Sequence, residues 1–242
     1  MSPETKPLLE VTGLAKRFGG FRALDGLSFY LNAGEILGLV GPNGSGKTTC
    51  INVISGLYAP DGGEIRLRDQ SIGGLPSHRL VHAGINRTFQ VPKPFLTMTV
   101  RQNVEVSIAY GGHGRAIDAR DLLASLELDS YADKPAAELN SVQQKLLDLA
   151  RALGTKPRLL LVDELAAGLN PAELEKIAAK LKELARSGMA LLVVEHLMGF
   201  IDQVTDRVIV MNAGKEIFEG VLADAVRNPR VVEVFLGQDD AK

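Results

Sequence analysis

The sequence predicts an α/β fold whose core is a parallel β-sheet covered on both faces. Four short aliphatic runs have the strand pattern, at residues 36–40, 159–162, 190–194 and 208–211. None contains a polar side chain, as expected for parallel strands that are buried on both faces. Segments of helical periodicity lie between the runs, and this alternation predicts right-handed strand–helix–strand crossovers.

A helix between two of these strands is predicted at residues 172–187. Ile177 and Leu181 belong to an apolar stripe along one of its faces. Pro171 stands where a first-turn proline belongs, and Gly188 follows the last turn. The segment therefore has both the periodicity and the end signals of a helix.

Two further regions extend the core at its flank and at the end of the chain. Residues 8–33 and 63–68 have the composition of short strands with turns, which predicts an antiparallel sheet on one flank. Residues 222–236 are predicted to form two short helices interrupted by Pro229.

Residues 98–153 form a different kind of segment, because they show helical periodicity and no convincing strand. The candidate helices lie at residues 101–110, 116–126 and 141–153, and the glycine-rich residues 111–114 separate the first two. This segment is predicted to be a helical insertion between two core strands.

These patterns predict one domain spanning residues 1–242. Residues 8–90 and 154–242 are assigned to the core and its β flank, and residues 91–153 to the helical insertion. A chain of this length can bury a sizeable core without disulfide or metal support.

Composition excludes several classes of protein. The chain is 45% hydrophobic and 23% charged, which argues against wholesale disorder. The longest stretch without Asp, Glu, Lys or Arg is residues 48–60, only 13 residues, so no bilayer-spanning helix is expected. The formal net charge of -2 gives no basic field for nucleic acid. The single cysteine, Cys50, and the lack of a signal-peptide pattern lead us to expect a reducing, cytoplasmic setting.

The strongest chemical signal follows the first core strand. The sequence GPNGSGKT at residues 41–48 fits the phosphate-binding pattern G-x-x-x-x-G-K-[ST] between a predicted strand and a predicted helix. Glycines allow backbone N–H groups to surround a phosphate, and Lys47 is expected to reach the β and γ phosphates of ATP. The Thr48 hydroxyl is expected on Mg²⁺. The candidate nucleotide-binding residues are Gly41, Pro42, Asn43, Gly44, Ser45, Gly46, Lys47, Thr48 and Thr49.

Two carboxylates end the predicted strand at residues 159–162. Asp163 and Glu164 follow an apolar run directly, where buried charge is costly unless a cation or substrate requires it. Asp163 is expected to hold Mg²⁺, and Glu164 to accept a proton from the attacking water. Alone, this pattern also fits an ordinary strand end, and the phosphate-binding loop makes the functional interpretation the better one.

With these motifs in place, the chain resembles the nucleotide-binding subunit of an ABC transporter from Leu8 to Gly237. The resemblance implies a P-loop NTPase core of RecA-like type with an antiparallel β flank and an inserted helical subdomain. It implies that Phe18, in KRFGG, stacks on adenine, although a core phenylalanine is the alternative. It also implies that Gln90, in NRTFQ, contacts Mg²⁺, and that His196 contacts the γ-phosphate. Glu164, His196 and Gln90 are thus the candidate catalytic residues, and Thr48, Gln90 and Asp163 the candidate metal ligands.

The family signature, LSGGQ or a close variant, is altered here. The corresponding stretch continues from Leu139 as Asn140, Ser141, Val142 and Gln143, so both glycines are missing. In the family this segment closes over ATP held by the other subunit, which makes these four residues candidate nucleotide contacts. Ser141 and Gln144 have capping-box spacing, which predicts that the helix start survives while its phosphate-binding surface changes. Tolerated drift with little effect is the alternative.

Several phrases are similar to one subgroup, the importers of branched-chain and other hydrophobic amino acids: RFGGFRAL, GINRTFQ, AAGLNP, VVEH and GKEIFEG. The resemblance implies a second ATPase subunit, with a heterodimer favoured because its partner could supply an intact signature. It further implies separate membrane permease subunits, an indirectly linked substrate-binding protein, no nucleic acid, and a peripheral position on the inner face of the membrane. Importers of urea, amides or aromatic acids and lipopolysaccharide exporters share some of these phrases.

Two other departures leave room for weaker catalysis. Leu165 stands where the family usually has proline, and Leu197 stands where it often has aspartate. A nucleotide-binding regulatory module with little hydrolysis is therefore the alternative function. A soluble ABC ATPase of DNA repair, translation or iron–sulfur assembly is disfavoured, because such chains usually carry two ATPase halves or distinctive insertions.

Overall fold

The computed structural model of the chain describes residues 6–111 and 117–236. A six-stranded sheet forms the centre, in the order β10-β9-β3-β8-β7-β6. Its strands are β3 (Ile36–Val40), β6 (Ile85–Arg87), β7 (Leu159–Asp163), β8 (Ala190–Val194), β9 (Arg207–Asn212) and β10 (Lys215–Gly220). All neighbours pair in parallel except β10, which runs antiparallel to β9. The four strands predicted from aliphatic runs are confirmed, and β6 and β10 are additional.

A second, antiparallel sheet lies on one flank, as predicted. It has the order β2-β1-β4-β5. Its strands are β1 (Leu9–Phe18), β2 (Phe21–Leu31), β4 (Gly62–Leu67) and β5 (Gln70–Ser71).

Nine α-helices lie within the described residues. Their bounds are α1 (Lys47–Ile54), α2 (Ser77–Ala83), α3 (Val100–Tyr110), α4 (Ala119–Ala124), α5 (Ser141–Gly154), α6 (Pro171–Arg186), α7 (Met198–Val204), α8 (Leu222–Ala225) and α9 (Pro229–Leu236). Short 3-10 helices occupy Asp129–Tyr131 and Ala136–Glu138. Pro229 is the first residue of α9 rather than a break within a helix, which suits its missing N–H.

The described part of the segment between β6 and β7 is helical, as predicted, and contains no strand of its own. Helix α4 is shorter than the predicted helix at residues 116–126, and residue 116 lies outside the described residues. The predicted separator is described only at Gly111, because residues 112–114 also lie outside them.

Alternate side chains of the central strands enter two hydrophobic cores. Leu37 and Leu39 pack on the side that holds α1 and the antiparallel sheet. Ile36 and Val40 pack on the opposite side, in the core that also contains residues of α3 to α9. Burial on both faces explains why these strands are aliphatic throughout. Over the described residues, no helix has the length and apolar character needed to cross a bilayer.

Candidate functional site

The phosphate-binding motif forms the loop between β3 and the start of α1, as its pattern predicts. Gly41 has φ 148°, and a Cβ there would lie 2.2 Å from the Met211 carbonyl oxygen. Gly46 has φ 108°, and its Cβ would lie 2.5 Å from the Ala23 carbonyl oxygen. Both positions require glycine, because the backbone conformation and the close approach each exclude a side chain.

Lys47 turns back over this loop. Its Nζ donates to the carbonyl oxygens of Gly41 at 2.7 Å and Pro42 at 2.9 Å. Burial lowers the pKa of the Lys47 ammonium, and the charges of Glu164 and Asp163 oppose this effect. The carbonyl groups of the loop therefore hold the Lys47 ammonium in place.

The loop borders a cleft of about 230 Å³ that collects residues from distant parts of the chain. Six lining residues come from the loop and the start of α1: Asn43, Gly44, Gly46, Lys47, Thr48 and Thr49. Gln90, Glu164 and His196 also line the cleft. The cleft thus brings together most of the residues that the sequence predicts for nucleotide binding and catalysis.

Glu164 is held between Gln90 and His196. Gln90 Nε2 donates to Glu164 Oε2 at 2.6 Å, and His196 Nε2 lies 2.9 Å from Glu164 Oε1. The three residues follow the carboxyl ends of β6, β7 and β8, which are neighbours in the sheet. Parallel strands present their carboxyl ends at one edge, so residues far apart in sequence meet there.

Asp163 is buried beside the cleft and paired with Arg87. Arg87 Nη2 lies 2.9 Å from Asp163 Oδ2. The other carboxylate oxygen, Oδ1, is buried and has no hydrogen-bond partner among the described residues. Burial raises the pKa of Asp163, and the Arg87 charge lowers it.

Mg²⁺ prefers oxygen ligands, and both a carboxylate oxygen without a partner and a threonine hydroxyl are of that kind. Asp163 supplies that oxygen and Thr48 the hydroxyl, so these residues fit the metal that the sequence predicts. Sequence reasoning missed Arg87. Its signal is a single cation three residues before Gln90, on a strand that pairs with β7.

The predicted adenine-stacking residue, Phe18, lies outside the lining of this cleft. The residue is 43% exposed, and its ring packs edge-to-face against Tyr58, with ring centroids 5.2 Å apart. Phe21, its partner across the β1–β2 hairpin, does line the cleft and is 61% exposed. The sequence therefore missed a second aromatic candidate for base stacking, and Phe18 stays a prediction.

The altered signature forms the start of α5, away from the cleft. Asn140 is the N-cap: its Oδ1 accepts from the Gln143 N–H at 2.8 Å, and the Gln143 side chain accepts from the Asn140 N–H at 3.0 Å. The predicted helix start is confirmed. The predicted capping box, Ser141 with Gln144, is wrong by one residue. Gln144 instead donates to the Leu139 carbonyl at 3.0 Å.

Comparison with known proteins agrees with this geometry. The sequence matches the ABC transporter family over residues 24–167. The high-affinity branched-chain amino acid transport ATP-binding protein LivG of Escherichia coli K12 is 36% identical, and the match covers 97% of this chain and 99% of LivG. The corresponding protein BraF of Pseudomonas aeruginosa is 34% identical, with 97% and 99% covered.

The fold is also similar to that of a solved structure. The ADP conformation of MJ1267, an ATP-binding cassette of an ABC transporter, is 33% identical with a TM-score of 0.85, covering 96% of this chain and 99% of that one. The predicted fold class is therefore confirmed, together with the predicted resemblance. This chain belongs to the ABC transporter family and is an ATP-binding subunit of that family.

Proposed function

We propose that this chain binds ATP with Mg²⁺ and hydrolyses it to drive an importer of branched-chain or related hydrophobic amino acids. The observation that carries the proposal is Glu164, held by Gln90 and His196 in the cleft that Lys47 also lines. The substrate class rests on the similarity to LivG and BraF, which are branched-chain amino acid transport ATP-binding proteins.

The chemistry needs a bound triphosphate and an oriented water. Backbone N–H groups of the loop and the Lys47 ammonium contact the β and γ phosphates. Thr48 and Asp163, with Gln90, would hold Mg²⁺, which neutralises phosphate charge when bound. Glu164 accepts the water proton as the water oxygen attacks the γ phosphorus, and the products are ADP and phosphate. His196 orients Glu164 and contacts the γ-phosphate.

The membrane partner would contact an apolar surface beside Gln90. Phe89, Val91, Phe95 and Leu96 are all exposed, although each is a large hydrophobic side chain. Neighbouring exposed apolar residues are typical of a protein contact. We propose that permease subunits bind here and hold the chain at the cytoplasmic side of a membrane, with the substrate-binding protein linked only through them. Residues 91–153 would move as the helical subdomain.

The second ATPase subunit would complete each site with its signature segment. Asn140, Ser141, Val142 and Gln143 would face nucleotide bound by the partner, where Val142 cannot easily take the open conformations available to glycine. A partner with an intact signature would leave this chain's own site competent. We therefore propose a heterodimer.

A second candidate function is a regulatory subunit with weak hydrolysis. Two observations favour a regulatory subunit: the altered signature, and the fact that side chains contact both carboxylate oxygens of Glu164. The decisive measurement is ATP turnover in the complex with its permease, reconstituted in vesicles, for wild type and Glu164→Gln. The control is Glu175→Gln, at an exposed position of α6.

A loss of turnover of roughly 100-fold or more in Glu164→Gln alone supports hydrolysis by this residue. Equal and negligible rates for wild type and Glu164→Gln support the regulatory subunit. Uptake of labelled leucine by the same vesicles tests the transported substrate. In a homodimer, restoring Ser, Gly and Gly at Asn140, Ser141 and Val142 should raise turnover, and no gain would contradict the signature argument.

A further inference from the structure

The backbone that follows Glu164 is held from one side by Lys145, a residue of α5. Lys145 Nζ donates to the Glu164 carbonyl at 3.0 Å, to the Leu165 carbonyl at 3.4 Å and to the Ala167 carbonyl at 2.6 Å. Three carbonyl groups within four residues therefore converge on one ammonium. Charge-assisted hydrogen bonds of this kind are the stronger ones in proteins.

Glu195 holds the same segment by accepting a hydrogen bond from a backbone N–H group of that segment. Its Oε1 accepts from the Ala166 N–H at 2.6 Å, and its side chain is buried. Burial raises the pKa of Glu195, while the backbone N–H groups of Ala166 and His196 and the charge of Lys145 lower it. A buried charge is costly unless its surroundings compensate it, so this carboxylate has a specific task.

The segment between these two charges begins in a conformation that needs support. Glu164 has φ 48°, in the left-handed region that residues other than glycine seldom adopt. Such a conformation persists only when the surrounding structure fixes it, and it is characteristic of functional sites. Lys145 on the carbonyl side and Glu195 on the N–H side provide that fixation.

We propose that Lys145 and Glu195 form a clamp on residues 164–167 and act as positioning residues for the Glu164 carboxylate. The proposal rests on the proposed role of Glu164 in hydrolysis. Neither side chain would touch ATP, and each acts through the backbone that sets the direction of Glu164. Lys145 lies on the helix that begins with the altered signature, so the clamp also joins that helix to the site.

The first test needs no hydrolysis. Hydrogen exchange of amides 164–167 is compared among wild type, Lys145→Met and Glu195→Ala, with Lys182→Met on α6 as the matched control. Loss of a charge-assisted hydrogen bond should speed exchange about tenfold or more in the two clamp variants, with the control unchanged. Unchanged exchange in both clamp variants would overturn the clamp.

The second test separates positioning from structural support, using ATP turnover of the reconstituted complex. Lys145→Met should lower kcat roughly 10- to 100-fold and leave KM for ATP within about twofold. Lys145→Arg keeps the donor and Glu195→Gln keeps the acceptor, so each of these variants should retain most of the wild-type kcat. A rise in KM with unchanged kcat would overturn the positioning role.

A double variant makes the test specific to Glu164. In the Glu164→Gln background, Lys145→Met should not lower turnover further, because a positioning residue acts through the group it positions. Independent, multiplicative losses would overturn the proposal. If Glu164→Gln leaves the wild-type rate unchanged, the proposed function fails instead, and hydrogen exchange still decides whether the clamp exists.

Discussion

Asp148, in the middle of α5, is a buried carboxylate whose ionisation should control part of the protein's stability. The residue is 4% exposed, and its side chain accepts a hydrogen bond from the Phe89 N–H at 2.7 Å. The cations that face it are Arg151, 3.6 Å away on the same helix, and Arg87 from β6. Burial outweighs these favourable contacts and raises the pKa of Asp148 from 3.8 to about 6.

The sign follows from proton binding. The folded chain binds the Asp148 proton more tightly than the unfolded chain does. The contribution of this group to the free energy of unfolding is therefore fully present below the unfolded pKa and is lost as pH rises through about 6. The rise in the pKa of Asp148 from 3.8 to about 6 corresponds to about 3 kcal/mol at neutral pH. Since the unfolded carboxylate is already half ionised near pH 4, the change between pH 4 and pH 8 is about 2.5 kcal/mol.

The variant that isolates this effect is Asp148→Asn, which keeps a side-chain acceptor for the Phe89 N–H and removes the charge. The free energy of unfolding is measured by urea denaturation from pH 4 to pH 8. The variant should gain about 2.5 kcal/mol relative to wild type across that range. Asp202→Asn, at an exposed position of α7, should show a difference within about 0.5 kcal/mol. A pH-independent difference for Asp148→Asn would refute the reasoning.

Three further predictions concern other buried or exposed features. Arg87→Met should cost about 3–5 kcal/mol in urea denaturation because it leaves Asp163 buried and unpaired. Adding Asp163→Asn should recover most of that loss, and no recovery would contradict the pairing argument. Leu197→Ser should raise the free energy of unfolding by about 0.5–1 kcal/mol, because Leu197 is the N-cap of α7 and makes no cap hydrogen bond; a decrease would contradict this. Burial raises the pKa of the Cys50 thiol to about 12, so an aromatic disulfide reagent should modify it only after unfolding, and rapid reaction of the native protein would contradict this.

The parts of the fold that could be predicted are those that local sequence determines. A strand buried on both faces must be aliphatic along its whole length, and β7 and β8 satisfy this without exception before the carboxylates. Strand β6 could not be found this way, because it has three residues and two are Asn86 and Arg87. Strand β10 is partly exposed, so its composition does not distinguish it from a loop.

The site divides in the same manner. The phosphate-binding loop is contiguous in sequence, so its pattern alone located it. The Arg87–Asp163 pair joins residues 76 positions apart, and only the register of β6 with β7 brings them together. The capping box failed for a different reason: Asn140 and Ser141 are equally good N-caps, so propensity could not choose between them. In the structure Asn140 is the N-cap, and the helix begins at Ser141.

Helix α5 connects these features because its contacts recur at three-residue spacing. Lys145 holds the Glu164 carbonyl, Asp148 accepts from the Phe89 N–H, and Arg151 Nη1 donates to the Lys93 carbonyl at 2.8 Å. Positions three residues apart lie on one side of a helix. One side of α5 therefore forms hydrogen bonds with the backbone before Gln90, through Asp148, and with the backbone after it, through Arg151.

Lys145 lies five residues after the N-cap Asn140, about 8 Å along a rigid helix. In the proposed dimer, contact between the signature and the partner's nucleotide would shift α5. Lys145, which holds the Glu164 carbonyl, would move with it, because no loop separates Lys145 from the signature. The altered signature would then have two consequences. It would weaken the partner's site by contact, and it would change how strongly occupancy of that site affects this one. We expect restoration of the glycines to change the ATP-concentration dependence of turnover at this chain's own site, measured with the partner's site inactivated for hydrolysis. An effect confined to the partner's site would show that α5 does not transmit it.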